Sequence, residues 1–123
     1  VIGKWEKCIE DNRPLTIYGD GTKRRDFTHI DDIVEALIKI QEQDAWGYTF
    51  ELGRGVNYSI NEVSKMFNYS NIKYEGNKPG EAEITLCEDT LANEVLGWEP
   101  KTNLLNYIQN FTNENKLYNT QQK

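Results

Sequence analysis

The chain of 123 residues has one histidine, two cysteines and no long apolar run. Cys8 and Cys87 lack the close spacing of a metal site, so we expect buried free thiols in a reducing compartment rather than a disulfide or a redox site. No stretch approaches the roughly 20 apolar residues of a membrane span, and no signal-peptide pattern opens the chain, which predicts a cytoplasmic protein. A basic excess is also missing. The net charge of -6 argues against a nucleic-acid partner, because binding to the phosphate backbone needs a basic face.

The most informative stretch of the sequence is residues 14–37. Two extended pieces flank a flexible glycine turn, Gly19-Asp20-Gly21, and lead into an amphipathic helix. The apolar positions of the two pieces are Leu15, Ile17 and Phe27. Arg24 and Arg25 follow the turn directly, and a guanidinium held there by strands can offer its planar fork to a phosphate.

Helix patterns precede and follow this stretch. Residues 1–10 have one apolar stripe and no capping residue before it, so we expect either that preceding sequence has been cut away or that the first turn frays. The segment Asp32-Ile-Val-Glu35 predicts a capping box that opens a helix to about Gln43. The predicted buried stripe of that helix is Ile33, Val34, Leu37 and Ile38.

The second half of the chain continues the alternation of strands and helices. The period-two pattern of Tyr48-Thr-Phe-Glu-Leu52 predicts a strand, and Ser59-Ile-Asn-Glu62 predicts another capped helix. The later predicted elements are an edge strand at residues 72–75, an extended piece at 84–86, a helix from Leu91 closed by Gly97, and a last helix capped by Asn103. This order favours an α/β architecture.

Several short motifs follow one another in a characteristic order. They are Tyr18-Gly-Asp-Gly21, Arg25-Asp-Phe27, Asp31-Asp32, Lys78-Pro-Gly-Glu81, Glu88-Asp89 and Leu96-Gly-Trp-Glu-Pro100. The ordered set resembles the C-terminal portion of the extended short-chain dehydrogenases, the NAD-dependent nucleotide-sugar epimerases and dehydratases, of the UDP-glucose 4-epimerase type. The resemblance covers residues 5–110, which is nearly the whole chain.

The resemblance implies an α/β fold: the C-terminal substrate-binding part of an extended Rossmann-type epimerase, with short strands, about five helices and no N-terminal dinucleotide-binding half. We expect residues 1–112 to form that part and residues 113–123 to form a polar, frayed tail. In intact relatives a tyrosinate removes a sugar hydroxyl proton while hydride passes from C4 to NAD, and an epimerase returns the hydride to the other face of the ketone. The resemblance places the catalytic residues and the NAD site in the missing half, so none is assigned here and the chain alone is expected neither to bind NAD nor to turn over substrate.

Five residues are assigned to substrate binding by the resemblance. Arg25 corresponds to the arginine that contacts the pyrophosphate of a nucleotide sugar. Lys78 stands where the family has a second arginine; a lysine neutralises phosphate without forking onto it. Glu81 stands where an aspartate accepts from the ribose hydroxyls, and Thr16 and Tyr18 align with positions that hold the base in uridine-type members. Structural roles stay open for these residues: an ion pair for Arg25, a solvated loop for Lys78 and Glu81, and a core aromatic for Tyr18.

Acidic residues and the lone histidine near the start of the second helix are interpreted structurally. Asp31, Asp32 and Glu35 suit a helix N-terminus, which favours acidic caps without any metal or paired-carboxylate chemistry. No motif gives His29 a catalytic partner, so we expect it to be packed or hydrogen-bonded in a strand.

Two further matches to known motifs are interpreted as accidental. Gly53-Arg-Gly55 follows a predicted strand as a dinucleotide fingerprint does, but Tyr58 occupies the place of the third glycine. Tyr69 and Lys73 have the spacing of the family's catalytic pair, but their surroundings predict a turn and a strand instead of one helix face.

The predicted partner is a nucleoside-diphosphate sugar, gripped by Arg25 and Lys78 at one diphosphate. The loss of a sheet partner predicts an exposed apolar surface, covered by a separately encoded N-terminal half or by self-association. The alternatives to an epimerase portion are a 4,6-dehydratase portion, a non-catalytic nucleotide-binding module and a truncated remnant.

Overall fold

The computed structural model describes the backbone of residues 2–121 and the side chains of residues 2–115. Within that range there are five helices and four short strands, which confirms the predicted α/β class. The elements are α1 (Ile2–Glu10), β1 (Leu15–Tyr18), β2 (Arg24–Arg25), α2 (Ile30–Glu42), β3 (Tyr58–Ser59), α3 (Ile60–Met66), β4 (Ile72–Glu75), α4 (Leu91–Leu96) and α5 (Leu104–Gln121).

The chain folds into two compact units built from interleaved segments. Unit 1 comprises Val1–Lys23, Ser59–Glu83 and Leu105–Lys123, and unit 2 comprises Arg24–Tyr58 and Ile84–Leu104. Because the segments alternate along the chain, no single linker in the sequence marks the division.

Unit 1 is organised around a two-stranded parallel sheet. β1 pairs with β4, in the register that runs from Leu15 opposite Ile72 to Tyr18 opposite Glu75. Leu15 and Ile17 are fully buried, as the period of two predicts for one face of a strand. Beside them Phe67 makes edge-to-face ring contacts in the core, with Trp5 at 6.0 Å and Phe111 at 5.9 Å between centroids.

Unit 2 packs α2 against α4 and the segment that follows α4. Its buried cluster consists of Ala36, Ala45, Ala92, Leu96 and Trp98. Asp32 closes the cluster at the start of α2, where it is 3% exposed. Its backbone oxygen accepts from Trp98 Nε1 at 2.7 Å, and its carboxylate accepts from the backbone amides of Lys101 at 3.0 Å and Thr102 at 3.1 Å.

The start of α2 differs from the prediction. The N-cap is His29, whose side chain accepts from the Asp31 amide at 3.0 Å, and the helix begins at Ile30. The predicted capping box Asp32-Ile-Val-Glu35 is therefore wrong, and so is the placement of His29 in a strand. Asp32 does not cap the helix because its carboxylate is bound to amides distant in sequence.

The predicted buried stripe of α2 is also wrong for most of its members. Val34, Leu37 and Ile38 are 43%, 57% and 48% exposed, and Ile30, on the same side, is 65% exposed. The buried residues of α2 are Asp32 and Ala36 instead. The structure therefore covers the face of α2 that contains Asp32 and Ala36, and it leaves the face with the larger apolar residues exposed.

Residues 48–52 do not form the predicted strand. Their alternation is retained over residues 49–52, since Phe50 and Leu52 pack on the cluster of unit 2 while Thr49 and Glu51 are exposed. Tyr48, which the period of two would place on the same side as Phe50, is 54% exposed. None of these residues belongs to a ladder in the part of the chain that the structure describes, and a strand exists only where a neighbour shares its hydrogen bonds. The strand prediction is therefore wrong because residues 48–52 lack a neighbouring strand, although most of the segment keeps the predicted alternation.

Other local predictions are confirmed. Ser59 and Glu62 form the reciprocal capping box at α3, and Gly97 ends α4 with φ of +67°. α5 remains helical through Gln121, beyond the predicted start of the tail near Asn113, while residues 122–123 lie outside the described range. The division into 1–112 and 113–123 stays a prediction.

Cys8 and Cys87 are free as predicted, but both are half-buried and not buried. Among the described residues no group of three or more acidic, histidine or cysteine side chains is placed to hold a metal ion. Over the same residues no helix has the length and apolarity needed to cross a membrane.

Candidate functional site

Four of the five predicted substrate-binding residues lie in unit 1. Thr16 and Tyr18 belong to β1, and Lys78 and Glu81 belong to the loop after β4. Arg25 belongs to β2 in unit 2. Convergence of Arg25 and Lys78 on one diphosphate stays a prediction.

The face of β1 opposite the core presents Thr16 and Tyr18. Burial alternates along the strand, so that Leu15 and Ile17 are buried while the residues between and after them are half-buried. The backbone oxygen of Thr16 accepts from Trp5 Nε1 at 3.3 Å, which ties the strand to α1. Tyr18 is thus a half-buried aromatic at the strand's end and not a core residue.

The loop after β4 brings an ammonium onto the Tyr18 ring. Lys78 Nζ lies 4.2 Å from the ring centroid, the geometry of a cation–π contact. The covered ring face is therefore not available to a base while Lys78 holds this position. The prediction that Tyr18 walls a pyrimidine applies to the other face or to a displaced Lys78.

A close approach between two loops holds this arrangement. Gly19 has φ of +77° and its amide donates to Glu75 O at 2.7 Å. The positive φ favours glycine, and a Cβ at this position would displace the side-chain amide of Asn77. The turn after β1 and the loop after β4 therefore meet at Gly19 and Asn77, which are the chain neighbours of Tyr18 and Lys78.

Glu81 has a charged partner that the sequence did not indicate. Lys23 Nζ lies 3.3 Å from Glu81 Oε2, and Lys23 is only 7% exposed. Nothing in the spacing of Lys23 marks it as buried, because it follows a turn and its partner lies 58 residues away. A buried lysine paired with a carboxylate in a candidate site is the feature that sequence analysis missed.

In unit 2 the two adjacent arginines differ in their contacts. Arg24 donates from Nε to Asn57 Oδ1 at 2.9 Å and from Nη2 to Asn57 O at 3.0 Å, so its fork holds the chain before β3. Arg25 donates from Nη1 to the backbone oxygen of Arg24 at 2.8 Å and is half-buried. Arg24 therefore has a structural role, and Arg25 remains the candidate phosphate ligand.

The turn Gly53-Arg-Gly55 does not fit a dinucleotide. The amides of Arg54 and Gly55 already donate to the Asp26 carboxylate, at 3.1 and 3.0 Å, as does the amide of Cys87 at 3.0 Å. A Cβ on Gly53 would collide with the side chains of Cys87 and Asp26. This glycine accommodates the chain's own carboxylate, and the amides that would bind a pyrophosphate are occupied.

The spacing of Tyr69 and Lys73 is accidental, as predicted. Tyr69 follows α3 and donates to Arg13 O at 2.9 Å, whereas Lys73 lies in β4 and pairs with Glu75 at 2.9 Å. The hydrogen bond and charge of Glu75 raise the pKa of Lys73. The two side chains do not share a helix face.

A groove of unit 1 has the wrong charge for a nucleotide. It encloses about 610 Å³ and is lined by Glu6, Glu10, Asp11, Phe111, Glu114 and Asn115. Four carboxylates in one groove repel a diphosphate, so the groove does not compete with the surface around Tyr18 and Lys78.

Comparison with protein families gives a match over most of the chain. The family model described as GDP-mannose 4,6 dehydratase matches residues 4–111. UDP-glucuronic acid decarboxylase 2 of Arabidopsis thaliana is 32% identical over 115 residues, covering 79% of this chain and 26% of that protein. UDP-glucuronate 4-epimerase of Thermodesulfobacterium geofontis is 30% identical over 122 residues, covering 94% of this chain and 37% of that protein.

Solved structures share the fold. The structure of MoeE5 in complex with UDP-glucose and NAD superposes with a TM-score of 0.84 and 28% identity, covering 97% of this chain and 42% of that one. The chain therefore spans less than half the length of each of these three proteins.

Proposed function

The chain belongs to the GDP-mannose 4,6-dehydratase family, and we propose that it is the nucleotide-sugar-binding portion of an NAD-dependent UDP-sugar 4-epimerase. The resemblance predicted from the motifs is confirmed by the family match and by the fold shared with MoeE5. The 4-epimerase assignment is supported by the relative from Thermodesulfobacterium geofontis, which aligns over 94% of the chain. The plant decarboxylase at 32% identity supports the related activity as the second candidate.

One arrangement supports nucleotide binding most strongly. Tyr18, Lys78 and Glu81 place an aromatic ring, an ammonium and a carboxylate along the meeting of two loops in unit 1. These three groups suit a base, a phosphate and a ribose. The ring offers stacking area, the ammonium offers a point charge, and the carboxylate accepts from hydroxyls.

Each residue is proposed to act on one part of the ligand. Arg25 and Lys78 neutralise the diphosphate, Arg25 through its planar fork and Lys78 as a point charge. Glu81 accepts from the ribose hydroxyls, while Thr16 and Tyr18 bound the base. Lys78 leaves the Tyr18 ring as it engages phosphate, because a diphosphate attracts the ammonium more strongly than a neutral ring does.

NAD supplies the hydride acceptor in the intact enzyme and is proposed to bind outside this chain. The one glycine turn that resembles a dinucleotide loop is occupied by Asp26, as described above. What these residues contribute is binding and orientation of the nucleotide end of the substrate. The free energy of that remote binding is what positions the sugar for reaction in a complete site.

The exposed face of α2 is proposed to contact the NAD-binding half. Ile30, Val34, Leu37 and Ile38 form a continuous apolar stripe, because residues four and seven or eight apart share a helix face. The segment 48–52, which follows α2 in the sequence, has no strand partner within the described chain. Tyr48 in this segment is exposed. A partner that adds a strand beside 48–52 and covers the stripe satisfies both features, and self-association is the expected substitute in its absence.

Calorimetric titration of the chain with UDP tests the proposed function. UDP should bind, and Arg25→Lys and Lys78→Met should each weaken binding about 10-fold or more, the effect of losing one charge-assisted contact of about 1.5 kcal/mol or more. Arg13→Lys and Lys4→Met make the same chemical changes on exposed residues away from the loop and should leave affinity unchanged.

The same titration can contradict the proposal in two ways. Absence of UDP binding by the unsubstituted chain would favour the truncated remnant. Equal affinity for all four variants would show that the bound nucleotide does not touch Arg25 or Lys78.

A further inference from the structure

We propose that Lys23 is a positioning residue for nucleotide recognition. It fixes the Glu81 carboxylate in the orientation in which Glu81 accepts hydrogen bonds from the ribose of a nucleoside diphosphate. This inference rests on the proposed function and adds a residue that the family resemblance did not assign.

The salt bridge between the two residues joins a buried group to an exposed one. The side chain of Lys23 is 9% exposed and that of Glu81 is 36% exposed, with 3.3 Å between Nζ and Oε2. Lysine is among the residues least often buried, and when it is buried it is paired. The Lys23 ammonium therefore identifies a built contact and not a chance surface pair.

The backbone around Lys23 is fixed by the start of α3. Lys23 O accepts from the Ile60 amide at 3.0 Å, and Gly21 O accepts from the Asn61 amide at 2.9 Å. The capping box formed by Ser59 and Glu62 defines that helix start. Glu81, by contrast, lies in an exposed loop one residue after Gly80, which has φ of +81°. The anchored Lys23 therefore sets the position of the exposed Glu81 carboxylate, and not the reverse.

The chemistry of glutamate explains why such an anchor is useful. Glutamate has one more rotatable bond than the aspartate that the resembled family has here, so ordering its carboxylate costs more conformational entropy. A fixed ammonium on Oε2 selects among those orientations before the ligand arrives, which lowers the cost of binding. A carboxylate has about four acceptor positions, and the contact with Lys23 takes one of them.

The test compares ribose with deoxyribose. The chain is titrated with UDP and with 2′-deoxyuridine diphosphate, and the ratio of the two dissociation constants measures ribose recognition. We expect the unsubstituted chain to prefer UDP, and Lys23→Met to reduce that preference about 10-fold, the effect of losing one well-oriented hydrogen bond. Lys23→Arg, which keeps the charge, should retain most of the preference.

The outcomes separate this inference from the proposed function. If the unsubstituted chain binds neither nucleotide, the proposed function fails and this inference with it. If it binds and Lys23→Met lowers thermal stability while the UDP preference is unchanged, Lys23 has only a structural role and the inference is overturned.

A second variant keeps the test valid if Lys23→Met does not fold. Glu81→Gln removes the charge that Lys23 pairs with while keeping the side-chain length. Glu81→Gln should therefore lower the UDP preference about as much as Lys23→Met is expected to. An unchanged UDP preference in Glu81→Gln would mean that Glu81 does not recognise the ribose, which contradicts the proposal.

Discussion

Replacing Asp32 by alanine should destabilise unit 2, although a first-turn acid on a helix is usually of small importance. Its carboxylate accepts from the amides of Lys101 at 3.0 Å and Thr102 at 3.1 Å. Hydrogen bonds to a charged group contribute about 1.5–3 kcal/mol each, so losing two removes about 3–6 kcal/mol. Both amides are near the surface and regain water in the variant, which places the expected loss at the lower end, about 3 kcal/mol.

Asp31 provides the matched control. It is the same residue one position earlier on α2, its side chain is 83% exposed, and its role is limited to the helix dipole and the His29 cap. Asp31→Ala should therefore cost about 0.3–1 kcal/mol. Urea unfolding followed by the indole N–H resonance of Trp98, which donates to Asp32 O, measures both variants within unit 2. Losses that agree within about 0.5 kcal/mol would refute the assignment of Asp32 as a tertiary clamp.

Two further changes test other parts of the structure. Leu37→Gln on the exposed face of α2 should alter the free energy of unfolding by less than about 0.5 kcal/mol and reduce self-association in sedimentation, whereas the control Lys39→Gln, on the other side of α2, should alter neither; a loss typical of a core leucine would contradict the exposed stripe. The hydrogen bond to Glu6 and then burial raise the pKa of Tyr107 to about 12. A raised folded-state pKa contributes stability that is complete below the ordinary value of 10.0 and is lost as the pH rises towards 12. Unfolding measured across that range should show the alkaline loss in the unsubstituted chain and a smaller loss in Tyr107→Phe, and identical pH profiles would rule out the Glu6 contact.

Features set by neighbouring residues could be predicted from the sequence. The Ser59 to Glu62 capping box and the glycine that ends α4 depend on contacts within four residues, and both are present. β4 was recognised from its alternation, and it pairs with β1, whose residues Leu15 and Ile17 are buried.

Features set by distant residues could not be predicted. The Asp32 segment has every local sign of a capping box, but its carboxylate is engaged by amides 69 and 70 residues away. Leu37 has the periodicity of a buried position, and burial requires a covering surface that the described chain does not supply. In the candidate site the motifs identified Lys78 and Glu81, whereas Lys23 became visible only through its contact with Glu81.

Chemical-shift mapping of the 14.3 kDa chain during a UDP titration is the sharpest test of the proposal that residues far apart in sequence bind one nucleotide. Shared binding predicts that amide resonances of Tyr18, Arg25, Lys78 and Glu81 shift together and give one dissociation constant. Shifts confined to the acidic groove near Glu10, or shifts of Lys78 without Arg25, would contradict it.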